Sequence, residues 1–137
     1  MKRNYLIFPW IWVFIYAGII FYLSSQSHPL PDTIRKNFPD WILHGVEYGL
    51  FGFLIARAVK ITFPIRSLIF RFFAPWILGT FYGLSDEWHQ SFVPYRDSSA
   101  SDLLVDAVGV ALGIYGWMLF DKIKRKHAEI RNIRKNA

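Results

Sequence analysis

Four apolar runs, each long enough to cross a bilayer, constrain this chain more than any other feature. They lie at about 5–23, 41–59, 68–84 and 103–120, separated by short charged segments. At 1.5 Å per residue, each covers most of a hydrocarbon core about 30 Å thick. A soluble bundle would give every helix a polar face, whereas these runs are apolar nearly all round. The expected fold is all-α and integral to the membrane: a four-transmembrane-helix bundle forming one domain over 1–137. The first run follows Lys2 and Arg3, so a cleaved signal peptide is the competing reading. The run is longer than a signal h-region and no small-residue cleavage site follows in Ser24–Gln26, which favours an uncleaved span. Most of the six Trp residues fall toward the ends of runs, as interfacial anchors do.

Charge decides orientation. Lys2 and Arg3, then Arg57, Lys60, Arg66 and Arg71, then the tail at 121–137 fall on one side of the membrane. Of sixteen Lys and Arg, only Arg35, Lys36 and Arg96 are left for the other. The positive-inside rule puts the basic side in the cytoplasm, with both termini, and turns the 24–40 and 85–102 loops outward. The tail is expected to be a solvated topology signal, with the option of continuing the fourth span as a helix against anionic lipid. A net charge of +6 also suits nucleic acid, but no nucleic-acid motif is present and most of the chain is lipid-soluble. The lipid bilayer is the expected partner. The chain has no Cys, which excludes disulfides and thiolate chemistry.

Helices in lipid do not find each other by hydrophobicity, so small residues that let backbones approach mark the packed faces. Gly45–Gly49, Gly79–Gly83 and Gly109–Gly113 each form G-x-x-x-G. At 100° per residue, Asp102 and Asp106 share a face with Gly109, Gly113 and Gly116. If the third span runs on as helix, Asp86 and Gln90 share a face with Gly79 and Gly83, with Glu87 to one side. In the second span His44, Glu47 and Tyr48 stand at i, i+3 and i+4. All these polar groups sit at the outward ends of their spans, so three helices bring acids, an amide and an imidazole to one level. His89 points away from the Asp86/Gln90 face, and Ser98, Ser99 and Ser101 read as ordinary loop polarity without a nucleophile motif.

The segment from Ser85 to Asp102 contains Asp86-Glu87, Gln90, Phe92, Pro94 and Arg96; Asp102, Asp106, Gly109 and Gly113 follow. This string resembles the VanZ-like family signature S-x-x-D-E-x-x-Q-x-F-x-P-x-R, a short spacer, then D-x-x-x-N-x-x-G-x-x-x-G. His44 and Tyr48 resemble its upstream H-x-x-x-Y element. The resemblance covers 44–113. Asp106 stands where the family often has Asn, and Gly83 where it often has Ser. The resemblance implies a polytopic protein of the bacterial cell envelope; one member is associated with resistance to the glycopeptide teicoplanin.

Three functions compete for the constellation. In the first, it binds an envelope lipid or cell-wall component: Arg96 offers a planar bidentate donor to phosphate, and Glu47, Tyr48, Asp86, Gln90, Asp102 and Asp106 line the site. In the second, it is a hydrolase or transferase on a phosphate-containing lipid or lipid-linked cell-wall precursor, with His44 as base or nucleophile and Glu47 or Glu87 orienting it. In the third, it is a structural polar knot in which Arg96 bridges Asp86 or Glu87 to Asp102 and folds the loop back as a lid. The acids also suit Mg²⁺ or another hard cation, although their spacing assigns neither a metal nor a cofactor. Transport ranks last, because no polar path or inverted repeat is visible.

Overall fold

A computed structural model describes residues 4–27, 37–63, 67–96 and 99–136. Lys2, Arg3, Arg35, Lys36 and Arg66, which enter the charge count above, and Ser98 lie outside them. The described residues form four helices: α1 Asn4–Ser24, α2 Asp40–Thr62, α3 Leu68–Gln90 and α4 Ala100–Asn136. All four are long and apolar enough to cross a membrane. The third is a turn and a half longer than the apolar run, because Ser85 to Gln90 continue the helix. The fourth runs unbroken through the basic tail, whose side chains from Lys122 onward are nearly all exposed.

Local chemistry explains several of these limits. The Ser67 side chain accepts a hydrogen bond from the Phe70 amide and caps α3. Ser99 does the same for α4, its hydroxyl accepting from the Asp102 amide at 3.2 Å and donating to the Asp102 carboxylate at 2.7 Å. Tyr95, in the connection between α3 and α4, adopts a left-handed backbone at φ 63°.

The helices alternate in direction. Ser24 at the end of α1 meets Asp86 near the end of α3, while His44 near the start of α2 meets Asp106 near the start of α4. At the opposite end Trp10 of α1 donates to Thr62 of α2, and Lys60 of α2 reaches Asp121 of α4. The α2–α4 pair is the closest in the bundle. A Cβ on Gly109 would sit 2.6 Å from the Gly45 carbonyl oxygen. One on Gly113 would strike Gly49, and one on Gly52 would lie 2.8 Å from Val110 Cα. The small residues thus join α2 to α4 inside one chain, as the motifs suggested. Gly116 is the exception, with open space around its missing side chain.

The interior between the helices holds Tyr48, Phe51, Ile55, Ala58, Val59, Val110, Ile114 and Trp117. The outside remains apolar: Phe14, Tyr22, Ile69, Phe81, Leu104, Leu112 and many like them are exposed. Contiguous apolar surface on this scale is unsuited to water and suited to lipid. Two tryptophans depart from the interfacial role. Trp117 is buried against Phe53, and the Trp76 indole donates to the Ala107 carbonyl at 3.0 Å. Both bind helix to helix.

Candidate polar site at one end of the bundle

At the level where α1 ends, α3 ends, and α2 and α4 begin, the structure gathers the polar residues singled out above. Asp86, Glu87, Gln90 and Asp106 are buried, as is Tyr48. The α3 face predicted from 100° spacing is entirely inward: Gly79, Gly83, Asp86 and Gln90 are all buried. Close packing at the glycines sets this arrangement, because it brings the α4 backbone within reach of side chains on α2.

Two linked networks result. In the first, Asp86 Oδ2 accepts from the Ser24 hydroxyl and from Gln90 Nε2, both at 2.8 Å. In the second, His44 Nδ1 lies 3.1 Å from Asp106 Oδ1. Glu87 Oε2 accepts from the Ser99 amide at 3.1 Å, tying the start of α4 to α3. One donor atom from each of His44, Glu87 and Asp106 lies within 4.8 Å of the other two, so these three residues could together hold a metal ion. Asp86 Oδ1, Glu87 Oε1, Asp106 Oδ2 and the Tyr48 hydroxyl are buried without a hydrogen-bond partner among the described residues.

Glu47 is half-buried, and its carbonyl accepts from the Tyr16 hydroxyl at 3.3 Å. Arg96 lies near enough to Glu47 to act on it electrostatically. It makes no ion pair with any carboxylate among the described residues, so the Arg96 bridge from Asp86 or Glu87 to Asp102 is absent there. Ser99 makes that connection instead. Its backbone amide and hydroxyl are short donors close to the main chain, whereas a guanidinium on a three-methylene stem has to surrender side-chain freedom to do the same. Arg96 Nε is buried and has no partner among the described residues.

Two residues of the site escaped the sequence reading. Ser24 belongs to the first span, outside the 44–113 resemblance; its visible signal is the abrupt Ser24-Ser25-Gln26 polar run at the end of the span. Ser99 was set aside as loop polarity, although Ser99-x-x-Asp102 is a capping-box spacing. His89 stays out of the cluster, as its direction suggested: it stacks on Phe21 of α1 at 4.5 Å and meets the Ser25 hydroxyl at 3.0 Å.

A second polar cluster, at the opposite end, was missed altogether. Asp121 on α4 is buried and receives Lys60 of α2, Arg71 of α3 at 3.6 Å and Arg125 of its own helix at 3.2 Å. Beside the first cluster runs an apolar groove of about 450 Å³ between α2 and α4, lined by Trp41, Gly45, Val46, Leu104, Val108 and Leu112 among others.

Fold and site together define a multi-pass α-helical membrane protein with a buried polar site where its spans end. The model of the VanZ/LLP1 family matches residues 5–121, and the chain belongs to that family. Comparisons with curated proteins and with solved structures give no match.

Proposed function

We propose that this chain is a single-domain protein of the bacterial cell membrane, with both termini and the 121–136 helix in the cytoplasm. Its polar site, at the outward ends of the spans, binds a phosphate-bearing envelope lipid or a lipid-linked cell-wall precursor. Through that ligand it contributes to resistance of the glycopeptide (teicoplanin) type. The observation that carries this reading is Arg96. Its Nε is buried, and among the described residues it has no hydrogen-bond partner and no carboxylate pairs with it. Leaving such a donor without an acceptor costs about 1–3 kcal/mol, more where the group is charged. A phosphate oxygen is the acceptor that a planar guanidinium matches best. The apolar groove supports the same reading. Gly45 and Val105 line it, next in sequence to His44 and Asp106, so a lipid chain in the groove would run beside the site.

Native mass spectrometry of detergent-purified protein, comparing the parent with Arg96→Ala, tests the proposal. A phospholipid or lipid-linked precursor retained by the parent and lost from the variant is the expected result. Bare, identical masses for both would refute it. Teicoplanin susceptibility of cells carrying either form then tests the contribution to resistance, which should be lost with Arg96.

The His44–Asp106 pair favours one second reading, a membrane hydrolase or transferase on such a lipid. A carboxylate on Nδ1 orients the imidazole and leaves Nε2 to take or give a proton, with Glu87 close by. On that reading His44→Ala and Glu87→Gln each abolish turnover of the retained lipid while the protein stays folded. Unchanged turnover in both would exclude it.

A further inference from the structure

We propose that His44, Glu87 and Asp106 form a binding site for one divalent first-row transition-metal cation, with zinc and manganese the ions it suits. Each residue comes from a different helix, so the helix packing that builds the bundle also sets the distances between donors. Those donors lie within 4.8 Å of one another. Ligand atoms about 2.1 Å from a common ion sit about 3–3.5 Å apart, so side-chain rotation of about 1 Å closes the set.

The state of each carboxylate is an independent observation. Both acids are almost wholly inaccessible: Asp106 is 0% exposed and Glu87 5%. In each, one oxygen is anchored and the other is not. Asp106 Oδ1 is held by His44 Nδ1 and Glu87 Oε2 by the Ser99 amide, while Asp106 Oδ2 and Glu87 Oε1 have no partner among the described residues. The Ser99 amide orients Glu87 as outer contacts orient metal ligands, and the two carboxylate oxygens without a partner are the donors. His44 Nδ1 already faces Asp106 and is the nitrogen that an ion seated between them takes, in place of the hydrogen bond the two share.

Charge points the same way. Asp86 and Asp102 act on Asp106 from α3 and α4, and Glu47 stands on α2. Among the described residues, Arg96 acts on Glu47, and no Lys or Arg forms an ion pair with Asp86, Glu87, Asp102 or Asp106. A buried excess of carboxylates needs protons or cations to exist near a membrane core. One nitrogen and two oxygen donors select the class of ion. Imidazole suits zinc and iron, and carboxylates suit manganese, whereas magnesium and calcium take oxygen almost exclusively.

The test uses the full-length protein in detergent, stripped with a chelator, with no lipid added. It is titrated calorimetrically with Zn²⁺ and Mn²⁺, with Mg²⁺ for comparison. One Zn²⁺ per chain is expected, bound at least a hundredfold more tightly than Mg²⁺. Asp106→Asn and Glu87→Gln each weaken it at least tenfold, while His89→Gln and His127→Gln bind like the parent. Circular dichroism confirms the fold of each variant; should one acid variant fail to fold, the other decides. The inference is overturned if the parent takes up no Zn²⁺ or Mn²⁺, if the acid variants keep the parent's affinity, or if the His89 or His127 variant loses as much. Because the titration reads metal uptake and no lipid is added, failure here leaves the lipid reading standing, and loss of lipid retention leaves this one standing.

Discussion

Replacing Gly113 by Ala should separate α2 from α4, and the same change three residues on should not. A Cβ at Gly113 would lie 2.7 Å from the Gly49 carbonyl carbon and 2.9 Å from the Phe53 amide nitrogen. Both are backbone atoms inside a helix and cannot swing aside, so the helices themselves must move. Overpacking of this kind costs about 1–3 kcal/mol, and contact with backbone belongs at the upper end. Ala in a helix returns about 1 kcal/mol relative to Gly. The net loss is therefore roughly 2 kcal/mol, whereas Gly116→Ala, with nothing within 4 Å of the new methyl, should be neutral or gain up to about 1 kcal/mol. For a chain of this size about 1 kcal/mol moves Tm by roughly 4 °C, so the two variants should differ by about 10 °C. Thermal unfolding of detergent-purified protein, followed by near-UV circular dichroism, measures it. Equal Tm values for Gly113→Ala and Gly116→Ala would refute the claim that these helices touch through their backbones at Gly113.

Further outcomes follow from other contacts. Asp121→Asn removes the charge that Lys60, Arg71 and Arg125 share; with Asp121 buried but two partners partly exposed, the loss falls between exposed and buried pairs at roughly 1–3 kcal/mol. It reads out as a lower Tm, and Arg125→Ala alone should cost less, since Arg125 is 64% exposed. Ser99→Ala removes the cap of α4 and should cost about 1 kcal/mol. Hydrogen exchange at the Asp102 amide should then accelerate by about fivefold while mid-helix amides stay protected. Orientation is testable without background because the chain has no Cys. With Tyr95→Cys, a side chain 90% exposed, a membrane-impermeant maleimide should label intact cells, and with His127→Cys only opened ones. The reverse pattern would invert the proposed topology.

The number of helices and the place of each span were written in the apolar runs, because a segment with few charges has few alternatives to a spanning helix. The pairing face of α3 was equally legible: the 3.6-residue period places Gly79, Gly83, Asp86 and Gln90 on one side, whatever they meet. Partners were another matter. No periodicity reveals that Ser24 of the first span closes on Asp86, or that Lys60 and Arg71 converge on an acid just past the fourth apolar run. Those pairings depend on which helix ends share a level once loops and crossing are settled. The Arg96 bridge shows the limit most clearly. Opposite charges on one loop suggested an ion pair, and a backbone amide from Ser99 reaches Glu87 instead, since fixed donors bind at lower entropic cost than long side chains. The sequence by itself determined the membrane habit, the spans and most of the polar residues gathered at the polar site. Only the tertiary structure decided which carboxylate oxygens are anchored and which remain free, because that depends on distances set by glycine contacts between helices far apart in the chain.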